Sequence, residues 1–294
     1  MAESKLLKGY LFIIASAVIY GCMPLMAKFI YAEGVNPVTL VFLRNLLALP
    51  MLLLMAKKQA GSLKIPAKSL PSMGLLALLG CCVTPILLFS SYSYMASGTA
   101  TVLHFVYPAV VVLGSIFFLR EKALPGNLLS VGLCLAGICM FYTPGEPLDW
   151  RGSLLALSSG VTFAAYMLLL SRFRYRQVKG LLFCFYVALL SAGMMLLICL
   201  CSGQLALPRS LLGWGLSLLF SVGITGVAVV LFQLGNFMIG PQRAAILSTL
   251  EPITSIVIGI LVFQEPVTFR VVLGSLLVIA ASILISFAGT KKTK

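Results

Sequence analysis

The chain has 294 residues, of which 61% are hydrophobic and only 10% charged, with a mean hydropathy of +1.10. A water-soluble domain of this length carries far more surface charge, so a soluble globular fold is excluded. The net charge of +14 does not point to nucleic acid, because the 21 basic residues are scattered over short connectors and a tail rather than gathered on one face.

Ten apolar stretches fill the sequence, each matching the roughly 20 residues a helix needs to cross a bilayer core. Lipid offers no hydrogen-bond partner, so the backbone must satisfy itself inside helices. The first five predicted helices are Gly9–Tyr31, Val38–Ala56, Leu70–Ser91, Gly98–Leu119 and Pro125–Tyr142. The second five are Arg151–Ser171, Gly180–Cys201, Leu211–Leu234, Gln242–Phe263 and Val267–Phe287. The run Ser90–Tyr94 blurs the edge between the third and fourth. The first stretch is too long for a secretory leader and lacks a small-residue cleavage site, so it reads as a span. Short connectors leave no room for an extramembrane domain. The eight cysteines lie inside apolar stretches without metal-ligand or disulfide-framework spacing, and read as small packing residues.

Ten crossings put both termini on one side. Sixteen basic residues then fall on the side of the termini and three (Arg151, Arg209, Arg270) on the other, where four of the seven acids also lie. That asymmetry orients both termini to the cytoplasm. Lys28 and Arg44 fall within helices.

The sequence repeats. A shift of 143 residues lays Lys8-Gly9-Tyr10-Leu11 on Arg151-Gly152-Ser153-Leu154 and Ser16 on Ser159. A shift of 144 lays Leu103, Pro108 and Glu121 on Leu247, Pro252 and Glu265. The expected units are residues 1–143 and 150–288, followed by a basic cytoplasmic tail over 289–294. Five helices per unit is odd, so the second unit enters the membrane from the opposite side. The expected fold is therefore an all-α integral membrane protein of ten helices, built as two inverted five-helix repeats. Such pseudo-symmetry supports alternating access about a site near the midplane.

Several motifs have family character. Tyr20-Gly21, Lys28, Asn36-Pro37 and Arg44 resemble the first repeat of the EamA family of the drug/metabolite transporter superfamily. So do Ala96-Ser97-Gly98-Thr99-Ala100, Pro108 and Leu119-Arg120-Glu121. The second half is similar at Gly240-Pro241-Gln242-Arg243-Ala244-Ala245, Leu250-Glu251-Pro252 and Phe263-Gln264-Glu265. Departures are Tyr20, where a tryptophan is common, and Phe163-Ala164 at the same place in the second repeat. The resemblance implies ten helices that move small organic solutes.

Polar groups in spans are the candidate site residues. Glu251, mid-way through the ninth helix before Pro252, is suited to carrying a proton or holding a cationic substrate; the alternative is a protonated, hydrogen-bonded acid in a packing role. His104, the sole histidine, suits proton exchange or an interhelical hydrogen bond. Arg44 is either an anion contact or a snorkelling residue paired with carbonyls or Glu33. Pro108, Pro252 and Pro24 release the carbonyls of His104, Ser248 and Tyr20, marking either a central pocket or healed kinks. Stripes such as Ser16–Tyr20, Ser217–Ser221–Thr225 and Ser159–Thr162–Tyr166 mediate helix packing or wet a cavity, with Gln233 and Tyr107 completing it.

The sequence is thus read as a secondary active transporter of a small polar metabolite such as an amino acid in the plasma (inner) membrane, an exporter either coupled to the proton gradient or running down the solute's own gradient. It lacks a GxxxxGK[ST] loop. Expected partners are membrane lipid, a small-molecule substrate and protons, with no cofactor, metal or nucleic acid; the oligomeric state is open. The alternatives are a passive channel, a lipid flippase of the same superfamily, or a membrane-embedded lipid enzyme.

Overall fold

The computed structural model describes residues 2–119, 125–140, 149–172, 180–239, 247–248, 250–264 and 268–288. Glu121, Glu265, Gly240–Ala245 and the 289–294 tail lie outside them. All the regular structure of the described residues is helical.

Among the described residues the helices group into ten segments in chain order. α1 comprises Ala2–Gly21 and, after a break at Cys22, Met23–Ala32. α2 comprises Pro37–Leu46 and Leu49–Ala60. α3 runs Leu70–Leu76, passes through a π-helical stretch Ala77–Val83, and resumes over Thr84–Ser91. α4 comprises Ser97–His104 and Tyr107–Leu119. α5 is Pro125–Met140, α6 Trp150–Arg172 and α7 Gly180–Cys201. α8 runs Leu211–Phe220, a π-helical Ser221–Ala228, then Val229–Ile239. α9 is Leu250–Phe263 and α10 Phe269–Ala288. Among the described residues seven helices are long and apolar enough to cross a membrane; the apolar stretches of α5, α9 and α10 are shorter.

Local chemistry sets the boundaries. The Asn36 side chain accepts the Thr39 amide at 2.8 Å, and Ser210 Oγ accepts that of Gly213 at 3.0 Å. Both are N-caps. Gly61 and Gly203 end α2 and α7 with φ of +72° and +64°, a conformation without penalty for glycine. The breaks in α1, α2 and α4 each lie just ahead of a proline: Pro24, Pro50 and Pro108. The two π-helical stretches begin 144 residues apart, at the same place in each half.

Helix pairing is the same when the halves are exchanged. α1 runs antiparallel to α8: Gly9 meets Met238 and Ile239, Ser16 Oγ donates to the Ala228 carbonyl at 2.8 Å, and Ser210 Oγ donates to Glu33 at 2.5 Å. α6 runs antiparallel to α3 in the same manner. Gly152 meets Tyr94 and Met95, the Thr84 and Thr162 hydroxyls are 2.9 Å apart, and Gly80 faces Tyr166. Three further pairs join equivalent helices: α2 with α7, α4 with α9, and α5 with α10. The main apolar core, with Phe89, Phe220, Leu40, Met195 and Ile224 sealed from solvent, fills the junction of the two halves.

Candidate functional site

The centre of the molecule gathers charged and phenolic groups from several helices. Arg44, on the first piece of α2, extends its guanidinium over the Phe89 ring, 5.6 Å from its centroid. Its Nε donates to Thr225 Oγ1 at 3.3 Å, within the π-helical stretch of α8. It does not pair with Glu33, whose carboxylate takes Ser210 at the far end of α1. The snorkelling partner considered from sequence is thus replaced by a contact inward, across the junction of the halves.

Glu251, next to the start of the described stretch Leu250–Phe263 of α9, lies beside the break in α1. A Cβ added at Gly21 would lie 2.8 Å from the Glu251 carbonyl oxygen and 2.5 Å from Thr254 Cβ, so only glycine admits this approach. Among the described residues nothing donates a hydrogen bond to the Glu251 carboxylate, and the residue is half-buried. The Tyr20 hydroxyl lies within electrostatic reach of both Arg44 and Glu251, and that of Tyr107 within reach of Glu251. Tyr107 stands 144 residues before Glu251, each followed by proline, so the two are counterparts in the halves.

His104 is placed differently. Its Nδ1 is 2.8 Å from Ser159 Oγ, while Ser159 Oγ donates to the Ala156 carbonyl at 2.6 Å. The serine proton is spent, so Nδ1 is the donor. The carbonyl that Pro108 releases at His104 does not open onto a pocket: a Cβ at Gly160 of α6 would lie 2.6 Å from it. The ring begins an aromatic ladder, 5.7 Å from Tyr107 and 5.5 Å from Phe163. Phe163 meets Tyr107 edge-on at 4.9 Å and stacks on Tyr166 at 5.7 Å. Tyr166 fits against Gly80 of the other π-helical stretch.

Of the residues singled out from sequence, Tyr20, Arg44, Tyr107 and Glu251 therefore converge, and His104 and Tyr166 form an adjoining wall. Ser248 is half-buried three residues before Glu251. The Gln233 side chain and Thr249 lie outside the described residues. The serine stripes are mostly packing: Ser217 and Ser221 donate to the Gly213, Ser217 and Leu43 carbonyls. Sequence reasoning missed the part of Phe163 in the ladder. Thr225 was visible only as one member of a stripe.

The arrangement places Tyr20 within electrostatic reach of two opposite charges, and Tyr107 within reach of one of them, at the junction of two similar halves, without a metal-binding cluster among the described residues. Comparison with known proteins agrees with that class. The EamA-like transporter family matches residues 7–143 and again 150–287, and the chain belongs to that family. It is a multi-pass membrane transporter. An uncharacterized transporter of Clostridium kluyveri is 23% identical over 97% of this chain and 94% of its own length. The uncharacterized inner membrane transporter YicL of Salmonella typhimurium is 25% identical over 98% of each. An Archaeoglobus fulgidus uncharacterized transporter is 26% identical over 70% of this chain and 75% of that one. One solved crystal structure superposes with a TM-score of 0.68 at 16% identity, covering 97% of this chain and 98% of that one, and so shares the fold.

Proposed function

We propose that the chain is a secondary active transporter that exports a small polar organic metabolite, such as an amino acid or related solute, from the cell by alternating access coupled to protons. The repeats 1–143 and 150–288 are inserted in opposite senses, giving ten crossings of the plasma (inner) membrane with both termini cytoplasmic. Rocking of one half against the other exposes the central site to each side in turn. Glu251 carries the proton or the cationic group, and Arg44 receives an anionic group. Tyr20, Tyr107 and the Tyr166–His104 wall line the passage.

The observation that carries this reading is a carboxylate and a guanidinium at the junction of two equivalent helix sets that, among the described residues, form no ion pair. Charges at such depth are expensive and are kept for substrate or ion handling. The antiparallel pairs α1–α8 and α3–α6 support opposed insertion, as does the basic excess on the side of the termini.

The test is Glu251→Gln in proteoliposomes, reading proton movement when a solute gradient is imposed. The substitution keeps shape and removes the proton-binding group, so solute-driven proton flux should fall at least about tenfold and lose its pH dependence. Wild-type rate and pH dependence in this variant would remove Glu251 from the mechanism.

A further inference from the structure

We infer that the connector between α2 and α3 is a docking surface for the headgroups of anionic phospholipids, held by Lys57, Lys58, Lys64 and Lys68. This surface is remote from the central site and is independent of what the protein carries.

The four lysines fall within residues 57–68, with no aspartate or glutamate among them. All four are exposed. Among the described residues none of their ammonium groups has a hydrogen-bond or ion-pair partner. Like charges crowded on one short connector repel each other until a counter-charge is supplied.

The connector is fixed to the body of the protein. Gly61 turns the chain out of α2 at φ +72°. Leu63 and Ile65 are half-buried and pack against the cluster that holds Leu182 and Phe185 of α7, while Lys64 between them points outward. The Tyr186 hydroxyl donates to the Leu63 carbonyl at 2.8 Å, and the Leu181 amide donates to Gln59 Oε1 at 3.0 Å. A single 3-10 turn, Ala67–Ser69, then leads into α3. The lysines thus stand on a backbone that is already ordered, which lowers the entropic cost of holding a ligand.

Their level relative to the bilayer follows from the same helices. Leu54, 61% exposed, lies three and four residues before Lys57 and Lys58, on the same face of α2 and one turn deeper. Leu70 and Leu75 are likewise exposed at the start of α3, just beyond Lys68. Leucines of this kind face hydrocarbon, so the lysines above them stand at the depth of the lipid phosphates. A phosphate oxygen accepts a charge-assisted hydrogen bond from an ammonium. A zwitterionic headgroup brings its own cation to that contact, whereas an anionic one neutralises the cluster. Because Gln59 and Leu63 are bonded to α7, a lipid seated here braces one half of the molecule against the other.

The experiment uses the full chain in detergent with added phosphatidylglycerol or phosphatidylcholine of identical acyl chains, reading thermal stabilisation. Wild type should be stabilised by phosphatidylglycerol at concentrations at least about tenfold below those of phosphatidylcholine. Added salt should narrow that difference. Joint replacement Lys57→Gln, Lys58→Gln, Lys64→Gln and Lys68→Gln should abolish the preference and leave the lipid-free Tm unchanged or higher. The same four positions changed to arginine should keep it. A control that removes equal charge elsewhere, Lys5→Gln, Lys291→Gln, Lys292→Gln and Lys294→Gln, should also keep it. Equal stabilisation by the two lipids, a preference that survives the four connector glutamines, or an equal loss in the control overturns the inference. So does glycerol phosphate that matches phosphatidylglycerol at the same concentration, since the site would then take a free phosphate instead of a lipid.

Discussion

Among the described residues Arg44 makes one hydrogen bond, from Nε to Thr225 Oγ1, and lays its guanidinium over Phe89. One long hydrogen bond and one ring contact offset little of the desolvation cost of a guanidinium at this depth. Arg44→Gln should therefore hold or raise the Tm of the purified protein while cutting transport at least about tenfold, because an anion contact is lost. A fall in Tm with transport intact would mark Arg44 as structural. The sequence made Arg44 and Glu251 visible, since charges stand out in a hydrocarbon stretch.

The helices themselves were legible, because a twenty-residue apolar run admits one solution in lipid. Their internal breaks were half legible. Pro24 and Pro108 mark the interruptions in α1 and α4, yet the carbonyl at His104 is covered by α6 at Gly160 instead of opening a pocket. The π-helical stretches Ala77–Val83 and Ser221–Ala228 were not legible, since an extra residue per turn leaves no mark in a uniformly apolar pattern. Each nonetheless touches the site: one receives Tyr166 at Gly80, the other supplies Thr225 to Arg44. A Cβ at Gly80 would lie 2.5 Å from the Tyr166 ring. Gly80→Ala should cost about 1–3 kcal/mol through overpacking, read as a lowered Tm. Adding Tyr166→Ala should restore most of the loss. An unchanged Tm in the single variant, or no recovery in the double, would mean that α3 and α6 do not meet as described.

At the scale of the molecule, the repeat was legible in sequence at a few positions only, because apolar helices match one another by chance. Packing makes it plainer. α1 with α8 and α3 with α6 are the same antiparallel contact, and the π-helical stretches recur at one spacing. Two such halves around a charged interior are what alternating access requires, and its direct consequence is that the interior faces one side at a time. Tyr20→Cys in a cysteine-free background, reconstituted in oriented vesicles and challenged with a membrane-impermeant maleimide from each side, measures this. The account predicts labelling from either side alone, with prior closure to one side protecting against reagent from the other. Simultaneous access from both sides, as in an open pore, or no access from either, would contradict it.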